Sequence, residues 1–137
     1  MPVAITSFPT DVSAETVVSD ESAASLAVVS SEAEAAERIA EIRKRHWDAR
    51  HVCYAFRLLD GVARSTDDGE PSGTAGAPIL NVLTQSGLEN VLCAVVRYFG
   101  GVLLGTGGLV RAYGKTASEA VAHAGTLSYR ICRRMRI

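Results

Sequence analysis

Three carboxylates crowd into four positions at Asp67, Asp68 and Glu70. Charges that close repel one another unless they cap backbone amides, pair with arginine or hold a hard cation. Arg64, Arg97 and Arg111 are the available partners, and a turn whose aspartates bond their own backbone is the other way out. His51 and Cys53 open a β-prone run and share one face of it. They read either as a general base beside a nucleophile or as a core histidine and a buried thiol. His51, Asp67, Asp68 and Glu70 are therefore the candidate catalytic residues. Arg97 ends an apolar run, VLCAVV. A charge there must be paired or must emerge at the strand's carboxyl end, where ligands tend to bind.

Glycine marks the second kind of chemistry. Nine of twelve glycines fall between Gly69 and Gly108. The segments DDGEPSGTAG (67–76) and GGVLLGTGG (100–108) each feed a helix N-terminus, where free amides and the helix dipole favour anions. Gly73 and Thr74 in the first, and Gly100, Gly101, Gly105, Thr106, Gly107 and Gly108 in the second, are candidates for cradling a phosphate or carboxylate. Arg97, Tyr98 and Arg111 stand beside them. The other reading is two tight turns with helix caps. GGLVRAYGKT lacks the first glycine of a P-loop, and neither a GxGxxG nor a GxSxG motif is present. Cys53, Cys93 and Cys132 form no CxxC pair, so neither a metal nor a cofactor is expected.

These residues need elements to position them. Residues 1–14 read as a loose lead-in and 15–137 as one domain. Glu15–Ser19 and Ser25–Ser30 suggest a hairpin. Ser31 and Glu34 form a capping box, with Ala35, Ile39, Ile42 and His46 at helical spacing after it. His51–Leu59 alternates as a strand, with Val52, Tyr54, Phe56 and Leu58 on one face. A short helix follows, with Pro78 in its first turn and Gly87 as its stop. Asn90–Phe99 suits a strand buried on both faces. A second long helix ends at Gly125, and Thr126–Ile137 reads as a last strand. The order β-β-α-β-α-β-α-β predicts an α+β fold, a mixed and mainly antiparallel sheet of four or five strands with helices on one face.

At 137 residues, 47% hydrophobic and 21% charged, the chain can bury a core without disulfides. Its net charge of -1 gives no global basic field. Residues 1–37 are acidic, however, while 111–137 carry Arg111, Lys115, Arg130, Arg133, Arg134 and Arg136 against Glu119. This asymmetry means an anionic partner at one end, or two ends that attract each other. No apolar run is long enough to span a membrane, and no Lys or Arg precedes Arg38, so a cytoplasmic protein without a signal peptide is expected.

ARHVCYAF, DDGEPSGTAGAPIL and VVRYFGGVLLGTGGLVRAYG together closely resemble the IMPACT/YigZ family over about residues 15–137. The resemblance implies the left-handed βαβ fold of the second domain of ribosomal protein five of the small subunit. It also implies a role in regulating translation, with RNA, the ribosome or a protein of the translation machinery as partner. By motif it carries over to His51, Asp67, Asp68, Gly69, Glu70, Pro71, Gly73, Thr74, Arg97, Tyr98, Gly100, Gly101, Gly105, Thr106, Gly107, Gly108 and Arg111. Where the family usually has a basic Lys-Ser-Arg-Phe stretch, this chain has Ala23-Ala24-Ser25-Leu26, which removes positive charge. The ferredoxin-like C-terminal domain common in bacterial relatives is not within the 137 residues. The leading expectation is a non-catalytic binding module. Its rivals are an enzyme acting on a small phosphorylated or carboxylated substrate, and a protein–protein module in which the glycines only shape turns.

Overall fold

In a computed structural model, residues 13–19, 22–98 and 105–135 are described, with side chains over 22–98 and 105–123. The elements run β1 (Ser13–Ser19), β2 (Ser22–Val28), α1 (Glu32–Arg45), β3 (His51–Arg57), β4 (Ala63–Thr66), α2 (Gly76–Gln85), β5 (Val91–Arg97) and α3 (Gly105–Met135). The strands form one five-stranded sheet in the order β1-β2-β5-β3-β4, every neighbouring pair antiparallel. Both β2 and β3 run against β5, so they are parallel to each other and α1 is the crossover between them. The antiparallel α+β class is thus as expected.

Period-two alternation sorts the strands' side chains onto two faces. Leu26, Cys53, Ala55, Val91, Cys93 and Val95 pack with Ile79 and Leu83 of α2 and Leu109, Tyr113 and Ala117 of α3. Val52, Phe56, Leu92, Ala94 and Val96 pack with Ala35, Ile39 and Ile42 of α1. Helices therefore lie on both faces rather than one. The reason is β5, in which all seven residues are buried, so neither side of the centre can be left to water.

α1 opens on the expected cap, the Ser31 hydroxyl accepting from the Glu34 amide at 3.1 Å. The Glu34 carboxylate reaches back one residue further, to the amide and hydroxyl of Ser30 at 2.6 and 2.9 Å. Gly87 follows α2 in the left-handed region (φ 70°), as its role of helix stop requires.

Two elements depart from expectation. β4 pairs with Tyr54–Arg57, but its residues ARST face water and carry no apolar alternation that would mark a strand. The expected last strand, 126–137, is instead the continuation of α3 to Met135. A helix can run through a glycine at a cost of about 1 kcal/mol, so Gly125 is no stop.

Candidate functional site

The loop between β4 and α2 is the organising piece, and it begins with a close approach. A Cβ on Gly76 would lie 2.8 Å from the Thr66 carbonyl oxygen, so only glycine lets α2 start against the end of β4. Asp67 then folds over that helix start. Its carboxylate accepts from the amides of Gly73 (2.9 Å), Ala75 (3.1 Å) and Gly76 (2.8 Å). Burial pushes the Asp67 carboxyl up, but these three amides outweigh it and hold it below its ordinary value. The first Gly-rich segment therefore does cradle an anion, and the anion is the protein's own side chain. The expectation that its amides are open to a ligand is corrected at Gly73. Thr74 is also turned inward, its hydroxyl donating to the Pro71 carbonyl at 2.5 Å.

Asp68 extends the sheet edge by side chain. Backbone pairing of β3 with β4 begins at Tyr54↔Thr66, which leaves the Val52 amide unpaired on that side. The Asp68 carboxylate accepts from that amide at 2.7 Å, with Asp68 itself in the left-handed region (φ 44°). Arg43 of α1 meets the same carboxylate at 3.3 Å. The Asp68 carbonyl accepts at 2.7 Å from Nδ1 of His51, so that nitrogen carries the proton and Nε2 faces the other way.

What Nε2 faces is Glu70. Its Oε1 lies 3.6 Å from His51 Nε2, while Oε2 accepts from Arg97 Nη1 at 2.6 Å and from the Tyr113 hydroxyl at 2.5 Å. The side chains of His51, Glu70 and Arg97 are only 16%, 6% and 9% exposed. Burial alone would lower the pKa of Arg97, but the bond and charge of Glu70 raise it above the ordinary guanidinium value. Burial, then hydrogen bonds with Cys53 and Glu70, push the Tyr113 phenol well up. The Cys53 thiol is pushed up to about 12, chiefly by burial, and donates to the Asp67 carbonyl at 3.1 Å. Burial likewise pushes Cys93 up to about 12. Both sulfurs are fully buried, and that of Cys53 is engaged by the Asp67 carbonyl.

The predicted site residues thus divide into two groups. His51, Asp67, Asp68, Glu70, Gly73 and Arg97 are joined in one polar knot at the end of the sheet, with Thr74 beside it, bonded to the Pro71 carbonyl. Tyr98 stands apart from them, its hydroxyl against the His46 ring, with the two rings edge-on at 5.8 Å. Gly105, Thr106, Gly107, Gly108 and Arg111 form the start of α3, exposed except for half-buried Gly108. A Cβ on Gly107 would meet the Arg111 guanidinium at 3.5 Å, so that side chain bends back over the first turn. Gly100 and Gly101 lie outside the described residues. Tyr113 was missed as a site residue because its helical phase marks it as core. A phenol buried there needs a polar partner, and that was the available signal. Among the described residues no group of three or more His, Cys, Asp or Glu is placed to hold a metal ion. No helix among them is long and apolar enough to cross a membrane.

The split crossover and its buried knot define a class of antiparallel α+β domain in which the loop before α2 is folded around an internal carboxylate. Residues 21–121 match the family model described as the Impact N-terminal domain, and the chain belongs to that family. It is 48% identical over 112 residues to the IMPACT family member YvyE of Bacillus subtilis, covering 80% of this chain and 52% of that protein. A solved hypothetical protein superposes with a TM-score of 0.76 at 38% identity, over 82% of this chain and 58% of its own. The solved two-domain translational regulator Yih1 gives 0.50 at 30% identity, over 86% of this chain and 50% of its own. The chain spans about half the length of the curated relatives it matches.

Proposed function

We propose that this chain is a translation-associated regulatory module of the cytoplasm, which binds a component of the translation machinery and transforms no substrate. One observation carries the reading. All three loop carboxylates are committed to protein donors: Asp67 to three amides, Asp68 to the Val52 amide, Glu70 to Arg97 and Tyr113. A general base must be within reach of a substrate proton, and these are spent on holding the fold. The likeness to the translational regulator Yih1 supports the regulatory half of the reading.

Arg97 then works from inside, fixing the sheet end, and contact with an anionic surface falls to the exposed start of α3. There Arg111 offers its guanidinium beside Gly105, Thr106, Gly107 and Gly108 to RNA phosphate or to an acidic protein surface. Sedimentation of the chain with ribosomal subunits at rising salt tests this. Association that weakens with salt, and weakens several-fold in Arg111→Glu, is expected. Failure to co-sediment at about 50 mM salt would overturn the reading.

A further inference from the structure

Trp47 is 82% exposed, on a turn that the knot does not use. A large indole left in water contributes almost nothing to the core, so packing does not explain its place. The turn is nevertheless held firmly. The Ala49 amide donates to the His46 carbonyl at 2.9 Å, and the Arg50 amide donates to the Arg97 carbonyl at 2.9 Å. His46 itself is tied to Tyr98. Its neighbours in sequence are Arg43, Lys44 and Arg45 of the last turn of α1, then Arg50, all exposed, with Asp48 the one acid between them. Arg43 is shared with Asp68 through an exposed pair at 3.3 Å.

We propose that this turn is a docking platform for single-stranded RNA, Trp47 stacking on an unpaired base while Lys44 and Arg50 meet the flanking phosphates. An exposed aromatic face on a backbone-tied turn, flanked in sequence by exposed cations, is the chemistry that single strands need, because every base offers a π-face and every linkage a negative charge. A protein partner fits less well, since the anchor of such an interface sits among other apolar groups. Among the described residues the other exposed large hydrophobics are Leu59 and Val110. Leu59 lies beyond the far end of β3, a strand roughly 20 Å long at strand rise. A lone indole is also too little apolar surface to anchor a membrane. This surface is separate from Arg111 and does not depend on what that residue contacts.

Trp47 is the only tryptophan in the chain, so its emission reports on this site alone. The full chain is titrated with a fluorescently labelled unstructured oligoribonucleotide of about ten nucleotides at about 50 mM salt. Saturable quenching that tracks the anisotropy of the oligonucleotide is expected. Trp47→Ala should weaken binding by about 5- to 100-fold with an unchanged thermal melt. Lys44→Glu with Arg50→Glu should weaken it and flatten its salt dependence. RNA bound without quenching, or equally well by Trp47→Ala, overturns the proposal. So does the absence of binding, or quenching by anionic vesicles or an acidic polypeptide but not by RNA. Sedimentation with Arg111→Glu has a separate readout, so failure of one assay leaves the other standing.

Discussion

Glu70 and Arg97 lie 27 positions apart in the chain, yet their side chains meet at 2.6 Å with less than a tenth of either in water. The pair joins the loop before α2 to the end of the central strand, and Tyr113 adds α3 to the same oxygen. Breaking a buried pair by removing one partner leaves an uncompensated charge. Glu70→Ala should therefore cost about 3–5 kcal/mol in urea denaturation, and Tyr113→Phe about 1 kcal/mol. The double variant with Arg97→Met should be less damaging than the sum of its parts. A loss below about 1 kcal/mol for Glu70→Ala would mean that the pair is not formed.

Asp67 should make stability depend on acid. Its folded carboxyl sits below the ordinary value of 3.8, so in the window between the two values the unfolded chain binds more protons. The contribution is fully present above the unfolded value and is lost as pH falls through the folded one. Asp67→Asn should cost about 2–3 kcal/mol at neutral pH, and its deficit should shrink below about pH 4. A deficit independent of pH would rule out the ionised cap.

Cys53 and Cys93 should be inert in the folded chain, since both are fully buried with thiols pushed up to about 12. Peptide-level mass mapping after iodoacetamide treatment at pH 8 should find both unmodified, and both modified in urea. Alkylation of Cys53 in the native protein would contradict the burial that holds it.

Gly76 has no room for a methyl group. A Cβ there would sit 2.8–2.9 Å from the Thr66 backbone, which is not the flexible end of a side chain. Gly76→Ala should cost about 1–3 kcal/mol and increase hydrogen exchange at the amides that Asp67 holds. A neutral substitution would mean that α2 starts further from β4.

Much of this architecture was legible in local pattern. The alternation in His51–Leu59, the unbroken apolar run before Arg97 and the Ser31 cap each carry their own signal, and each element formed as read. β4 was hidden because an exposed edge strand of four residues has no buried face to betray it. The C-terminal part of α3 was hidden because Gly125 looks like a stop and a helix can absorb it. In the first Gly-rich segment, close backbone approach is seen at Gly76, against Thr66. What fills that segment could not be read, since Asp67 bonds amides six to nine positions ahead and Glu70 reaches a residue 43 positions away. Partners at such separations are chosen by the tertiary fold.

Among the described residues the central strand is also the last of the five in chain order. β5 must slot between β2 and β3, two strands synthesised well before it. A nascent chain that has not yet emerged past Arg97 can form a hairpin at each side, but the two halves have nothing to join them. Such a topology, rich in pairings distant along the chain, folds late and cooperatively. During elongation, the earlier strands wait with their inner edges unprotected until the middle of the sheet arrives.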